Sequence, residues 1–250
     1  MTREQSRNAL VLGAGGGLGQ AIVARLLTDP SIDKVIAVSR NGRTEDLSRH
    51  LISSSRLVWI QSDYTEQAMA DVVTQLAPYA GTLSRVCICH GVLHSDTIWP
   101  EKRLEDISAD ALHEIFHANT VIPSLWLKLL HKILAGKQRC VVAALSARVG
   151  SIGDNRMGGW YAYRTSKSAL NMMLKTLAVE YARRAKNVKL ISFHPGTTDT
   201  PLSKPFQGSV KKENLFSTAF VADRLVGIMD QADVDGQLSY LDWDGKSIAW

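Results

Sequence analysis

The fold prediction starts from the sequence ALVLGAGGGLG, which occupies residues 9–19. A short apolar run, Ala9–Gly13, is followed by further glycines and then by apolar residues at helical spacing, which predicts a strand, a tight turn and a helix. Glycines at such a turn let the backbone approach a pyrophosphate, which then lies at the positive end of the helix. The stretch therefore predicts a dinucleotide-binding loop, with an ordinary strand–helix turn that holds no ligand as the alternative.

The same alternation of strand and helix continues along the chain. Short, continuous apolar runs are typical of strands buried on both faces, and helical patterns separate them. The longest helical pattern covers Leu104–Ala135, and Pro123 predicts a bend within it. Six alternations without a linker predict one Rossmann-like α/β domain over residues 1–250, a doubly wound parallel sheet. A loop at about 197–217, rich in Gly, Pro, Ser and Lys, is predicted to contact substrate. The predicted strands are Ala9–Gly13, Lys34–Ser39, Leu57–Ile60, Arg85–Cys89, Cys140–Leu145 and Val188–Phe193.

Composition excludes several classes of protein. With 250 residues, 45% of them hydrophobic, the chain can bury a large core without disulfides or metals. The net charge of +5 is dispersed, so we expect no nucleic-acid partner. No apolar run approaches the roughly 18 to 20 residues of a membrane span, so we expect no membrane partner and a cytoplasmic protein. Three cysteines in apolar runs indicate buried thiols. His113 and His117 have metal-ligand spacing without a third ligand, so we expect no metal site.

The end of the second strand bears on the choice of cofactor. An NAD site would place a carboxylate there to bind the ribose hydroxyls. The chain instead has Ser39-Arg40-Asn41, with Arg43 close behind. A guanidinium can form a charge-assisted fork with a 2′-phosphate, so the sequence favours NADP (NADPH) over NAD, which stays open as the alternative. Arg40 could also be an ordinary solvated side chain.

The stretch WYAYRTSKSALN, residues 160–171, carries a candidate catalytic pair. Tyr163 and Lys167 are four residues apart on a predicted helix and so share a face, whereas Tyr161 has Thr165 at that spacing. A nearby ammonium favours a phenolate and should lower the pKa of Tyr163. Such a pair can give a proton to a carbonyl oxygen as hydride arrives, or remove one from an alcohol.

With these motifs the chain resembles the short-chain dehydrogenase/reductase family over nearly its whole length. The resemblance rests on the glycine loop, on Tyr163 and Lys167, and on weaker marks in the expected order. It implies that Asn119 holds a water beside the lysine in a proton relay. Within the family, the chain looks like the branch of C-factor-like proteins and sniffer-type carbonyl reductases. The cofactor contacts that we expect are Gly13, Gly15, Gly16, Gly17, Leu18, Gly19, Ser39, Arg40, Asp63, Tyr64, Gly91, Tyr163, Lys167, Pro195, Gly196, Thr197 and Thr200.

The catalytic serine departs from the family pattern. The family often has two adjacent serines where Ser146 and Ala147 stand, and the second is usually the functional one. Ser146 is the candidate, although a shift of one residue changes the face of a strand, and Ser151 is the alternative. The fourth strand departs as well, because only Gly91 remains of the family's Asn-Asn-Ala-Gly motif. His90 within it is either a packed histidine or a pocket residue.

The resemblance implies an NADP(H)-dependent oxidoreductase that interconverts a carbonyl and an alcohol of a small-molecule substrate. Tyr163 would supply the proton, Lys167 would lower its pKa, Ser146 would bind the substrate oxygen and Asn119 would anchor the water. It also implies a homodimer or homotetramer. The alternatives are a cofactor-binding signalling protein of the C-factor type with little turnover, and an epimerase or dehydratase on the same fold.

Overall fold

A computed structural model describes residues 6–42 and 54–250. Seven parallel strands form the main sheet, in the order β3-β2-β1-β4-β5-β6-β9, and β7 pairs with β8 in a separate ribbon. The strands are β1 (Asn8–Leu12), β2 (Lys34–Ser39), β3 (Leu57–Gln61), β4 (Leu83–Ile88), β5 (Cys140–Leu145), β6 (Val188–His194), β7 (Thr197–Thr198), β8 (Leu215–Phe216) and β9 (Leu238–Asp242). The helices are α1 (Gly17–Thr28), α2 (Glu66–Gln75), α3 (Ala109–Phe116), α4 (Ile122–Leu134), α5 (Tyr161–Arg184) and α6 (Thr218–Gln231).

Helices cover both faces of the sheet. One apolar core lies between the sheet and α2, α4 and α5, and the second lies between the sheet and α1 and α6. Strand order reverses between β1 and β4, which is where α/β sheets bind ligands at the carboxyl ends of their strands. The predicted doubly wound, single-domain fold is confirmed. Within the described ranges, no helix combines the length and the hydropathy that crossing a bilayer requires.

Besides the short ribbon β7–β8 inside the predicted loop, a helix and a strand differ from the sequence prediction. The long helix predicted from Leu104 begins only at Ala109, after a separate 3-10 turn, and its bend is a π-helical turn over His117–Val121. Pro123 lies just beyond that turn, in the first turn of α4. Strand β9 was not predicted, because buried and half-exposed residues alternate along LSYLD instead of forming a continuous apolar run.

Candidate active site

Two adjoining cavities open at the carboxyl ends of the strands. The large cavity has a volume of about 970 Å³ and is bordered by the helix start after β1, the end of β5, and α5. The small cavity, of about 280 Å³, is bordered by the glycine loop and the end of β2. Gly16 and the segment Cys89–Gly91 line both cavities, so they lie at the junction. The arrangement suits a long ligand with one end in each cavity.

The glycine loop has the backbone that a phosphate cradle requires. Gly13 has φ +80°, a left-handed conformation that glycine adopts without strain. A Cβ on Gly19 would lie 2.4 Å from the carbonyl oxygen of Gly13, so only glycine lets α1 start this close to the loop. The N-terminus of α1 begins at Gly17 and offers unpaired N–H groups to an anion. These residues fit the pyrophosphate of a nicotinamide dinucleotide.

The predicted cofactor residues line these cavities with one exception. The carboxylate of Asp63 instead accepts hydrogen bonds from the N–H and hydroxyl of Thr65, which hold its pKa below the usual range. Arg43 lies outside the described residues. The predicted residues that line the small cavity are Gly13, Gly15, Gly16, Ser39, Arg40, Tyr64 and Gly91. The predicted residues that line the large cavity are Gly16, Gly17, Leu18, Gly19, Gly91, Tyr163, Lys167, Pro195, Gly196, Thr197 and Thr200.

The edge of the small cavity near β2 carries a cation. Arg40 is exposed there, and its backbone carbonyl accepts a hydrogen bond from Gln61 at 2.9 Å. The hydroxyl of Ser39 accepts from the indole of Trp59 at 3.0 Å and donates to the carbonyl of Asn41. Ser39 therefore holds the turn that presents Arg40, whose side chain is exposed at the edge of the small cavity.

Tyr163 and Lys167 both face the large cavity from α5. The Lys167 ammonium lies 5.8 Å from the centre of the Tyr163 ring, and its Nζ donates to the carbonyl oxygen of Leu145 at 2.9 Å. Burial lowers the pKa of Lys167 to about 7. Burial also raises the pKa of Tyr163 above its usual value, with a smaller contribution from Tyr240. The sequence predicted a lowered pKa for Tyr163, and that prediction is wrong because burial of the hydroxyl raises the pKa.

Asn119 lies in the π-helical turn and is fully buried. Its Oδ1 accepts from the N–H of Val92 at 2.7 Å, and its Nδ2 donates to the carbonyl of Val92 at 2.9 Å. Nδ2 also donates to the hydroxyl of Ser166 at 3.0 Å. The side chain thus joins the segment after β4 to α5. Asn119 and Lys167 both lie next to Gly91. A Cβ built on Gly91 would be 3.4 Å from Lys167 Nζ and 3.8 Å from Asn119 Oδ1. This place beside the lysine is the one that the sequence prediction requires.

Neither candidate serine directs a free hydroxyl at Tyr163. Ser146 lines the large cavity, but its hydroxyl donates to Oδ1 of Asn171 at 2.8 Å. Ser151 is buried, does not line that cavity, and accepts from the N–H of Asp154 at 3.1 Å.

Aromatic side chains wall the large cavity opposite the strand ends. Trp160 packs edge-on against Tyr163, with ring centres 6.2 Å apart, and against Phe206 at 5.2 Å. Phe206 comes from the predicted substrate loop, which contributes much of this wall. Trp99 packs against Phe206 without lining the cavity. Of these two tryptophans, Trp160 lines the cavity and Trp99 does not.

His90 lies at the junction of the two cavities. Its ring packs edge-on against Tyr64, with centres 4.5 Å apart, and burial lowers its pKa to about 3. His90 is therefore a neutral, packed side chain that also borders the ligand space.

Two positioning residues were not identified from the sequence. Ser166 donates to the carbonyl of Tyr163 at 2.8 Å while accepting from Asn119, so it links the two. Both carboxylate oxygens of buried Glu101 accept from the N–H of Ala162 at 3.2 Å, in the first turn of α5. A negative charge there suits the helix dipole. Ser166 could have been found from its place between Tyr163 and Lys167, whereas nothing in the sequence indicates that Glu101 meets α5.

The protein is similar to known oxidoreductases. The model of a family described as short chain dehydrogenase matches residues 7–210. Benzil reductase ((S)-benzoin forming) of Bacillus subtilis is 26% identical over 92% of this chain and 96% of its own. Carbonyl reductase Sniffer of D. melanogaster superposes with a TM-score of 0.83 at 22% identity, over 98% of this chain and 100% of its own. An NADPH-bound carbonyl reductase from chicken fatty liver gives a TM-score of 0.78 at 21% identity, over 99% and 100%.

Proposed function

Because the chain belongs to the short-chain dehydrogenases, a family of oxidoreductases, we propose that it reduces a carbonyl to an alcohol with NADPH, using Tyr163 as the proton donor. The observation that carries this proposal is the shared cavity: Tyr163 and Lys167 face a space that adjoins the glycine loop. A donor for the substrate oxygen and a cradle for a dinucleotide therefore lie side by side. Reduction is the direction we assign.

Residues of the chain itself donate the proton, stabilise the resulting phenolate and return the proton to it. A bound nicotinamide supplies hydride to the carbonyl carbon. The hydroxyl of Tyr163 gives its proton to the carbonyl oxygen, and the raised pKa of Tyr163 keeps that proton in place until the substrate arrives. Lys167 stabilises the phenolate that results, through its ammonium charge. Asn119 anchors a water beside Lys167 through which the tyrosine regains its proton.

The preference for NADP over NAD rests on Arg40. Its guanidinium is exposed at the edge of the small cavity, at the end of β2, where a carboxylate would serve an NAD site. A 2′-phosphate at that edge would pair with the guanidinium in a charge-assisted hydrogen bond. The NADPH-bound carbonyl reductase superposes over the whole chain, which supports a nicotinamide cofactor here.

The large cavity favours an uncharged substrate. Its walls are mainly apolar and include Leu93, Trp160 and Phe206. Arg148, which lies in that wall, is paired with Asp242 at 3.1 Å and with Asp154 at 3.5 Å. A small aldehyde or ketone with an apolar substituent is therefore the proposed substrate class.

The test compares two tyrosines that are two residues apart. NADPH consumption with a panel of aldehydes and ketones should be rapid for the wild type, and Tyr163→Phe should lower kcat by about 10² to 10⁴. Tyr161→Phe is the matched control and should keep full activity, because Tyr161 does not line the cavity. Tyr161→Phe should bind NADPH with unchanged affinity, measured by fluorescence, and Tyr163→Phe should still bind it, so that the loss of kcat reports the proton donor. Equal losses in the two variants would contradict the assignment.

The same assay separates the alternatives. Tight NADPH binding without turnover across the panel would favour a signalling role of the C-factor type. Conversion of a substrate without net consumption of NADPH would favour an epimerase or dehydratase. Neither outcome agrees with a carbonyl reductase.

We also propose that the protein is cytoplasmic and that two or more copies associate through α5. Cys87, Cys89 and Cys140 carry free thiols, as a reducing compartment allows. Met172 and Val179 are seven residues apart on α5, so they share a helix face, and they are 68% and 49% exposed. Light scattering should give a dimer or tetramer, and Met172→Lys should shift it towards the monomer.

A further inference from the structure

The hydroxyl of Ser146 has a structural partner. It donates to Oδ1 of Asn171 at 2.8 Å, and the hydroxyl of Ser192 donates to the same oxygen at 2.6 Å. All three side chains are buried. Asn171 stands one helical turn after Lys167 on α5, so this cluster fastens the ends of β5 and β6 to the helix that carries the proton donor. Turning the Ser146 hydroxyl towards the substrate would break that fastening.

The next residue offers the cavity no hydrogen-bond donor. Ala147 has an extended backbone, with φ −152° and ψ 146°, in which successive side chains point to opposite sides. Because the Ser146 hydroxyl points to Asn171, the methyl of Ala147 points the other way. Ala147 lines the large cavity together with Tyr163. Its own carbonyl oxygen is held by the hydroxyl of Tyr240 at 2.6 Å, which fixes the backbone at this position.

We propose that the substrate oxygen receives its hydrogen bond from Tyr163 without a second hydroxyl from the end of β5, and that the enzyme therefore selects activated carbonyls over simple ketones. The inference rests on the proposed function and names the substrate class of that site. Activated carbonyls are those with an electron-withdrawing neighbour, such as vicinal diketones and quinones. Ser146 is then a positioning residue that acts through Asn171.

The chemistry of the reduction explains the selection. The carbonyl carbon accepts a hydride, the electron pair of the C=O bond moves to oxygen, and that oxygen takes the proton of the Tyr163 hydroxyl. The carbonyl is reduced to an alcohol and NADPH is oxidised to NADP⁺. Negative charge develops on the oxygen during the transfer, and one missing donor costs about 10² to 10³ in rate. An adjacent carbonyl withdraws that charge within the substrate and so offsets the missing donor.

The experiment uses two substrates with one carbon skeleton. Propiophenone is a simple ketone, and 1-phenylpropane-1,2-dione carries an added carbonyl beside the first. The ratio of their kcat/KM values is measured for the wild type, Ala147→Ser and Ser146→Ala, with melting temperature and NADPH binding recorded for each. Ala147→Ser should raise kcat/KM for propiophenone by about 10- to 100-fold, as an added oxyanion donor would, and change the value for the dione much less.

Ser146→Ala gives an independent readout. It should lower the melting temperature and leave the ratio of the two substrates within about twofold, because a positioning residue affects both reductions alike. A selective loss of propiophenone turnover in Ser146→Ala would overturn the inference, since Ser146 would then bind the substrate oxygen. An Ala147→Ser enzyme that folds, binds NADPH and gains nothing would also overturn it. A wild type that binds NADPH and reduces no carbonyl would instead refute the proposed function, and the inference with it.

Discussion

Asn119 and Ser166 form a buried hydrogen bond, 3.0 Å from Nδ2 to Oγ, that joins the π-helical turn to α5. The hydroxyl of Ser166 in turn donates a hydrogen bond to the carbonyl oxygen of Tyr163 at 2.8 Å. The position of Tyr163 thus depends on a turn that comes more than forty residues earlier in the chain. A hydroxyl suits this link, because the same group accepts from Asn119 and donates to Tyr163.

Removing the Ser166 hydroxyl should lower both the free energy of unfolding and kcat. Ser166→Ala should lower the free energy of unfolding by about 1 kcal/mol, the net contribution of a buried hydrogen bond. It should also lower kcat, because Tyr163 loses a link that holds its backbone. Thr74→Ala, on the exposed face of α2, is the control and should change neither quantity. Chemical denaturation and NADPH consumption measure them, and an unchanged kcat would show that Ser166 has no positioning role.

Arg40 should determine the choice of cofactor. Arg40→Asp should weaken NADPH binding by about 10- to 100-fold, because a charge-assisted hydrogen bond is lost and a repulsive charge is gained. NADH binding should be unchanged or improved. Lys186→Asp, an equal charge change at an exposed residue on the segment after α5, is the control. Fluorescence titration measures both affinities, and an unchanged ratio would rule out the role of Arg40.

The pH dependence of NADPH capture should report Lys167. Below a pKa of about 7 the side chain is an ammonium, which attracts the anionic dinucleotide, and above that pKa it is neutral. The kcat/KM for NADPH, which reflects groups of the free enzyme, should therefore fall as pH rises through about 7. Lys167→Met should remove this limb of the profile. Persistence of the same limb in the variant would assign it to another group.

Gly19 should tolerate no side chain. A Cβ there would meet the carbonyl oxygen of Gly13 at 2.4 Å, and no rotamer can relieve contact with backbone. Gly19→Ala should cost about 1 to 3 kcal/mol of unfolding free energy and disrupt NADPH binding. Gly227→Ala is the matched control within α6, because its Cβ would meet nothing within 4 Å. That substitution should instead raise stability by about 0.5 to 1 kcal/mol, and a stable Gly19→Ala that binds NADPH would refute the close contact.

Local pattern in the sequence was sufficient for the fold and for much of the site. Buried parallel strands are continuous apolar runs, so six of the seven strands of the main sheet were predicted, whereas β9 alternates buried and half-exposed positions. Tyr163 and Lys167 were identified because helical geometry alone puts residues four apart on one face. Gly13 and Gly19 were identified because a turn between β1 and α1 needs glycine for reasons that are local.

Only the tertiary structure decided what depends on distant neighbours. Glu101 reaches the N-terminus of α5 across sixty residues, and Ser146 bonds Asn171 through the packing of β5 against that helix. The pKa of Tyr163 rises rather than falls, because burial is a property of the whole chain and not of a pair. The sequence by itself therefore determined which residues could transfer a proton. Packing decided which hydroxyls are free to face the substrate, since a hydroxyl used to join two elements is no longer available to a ligand.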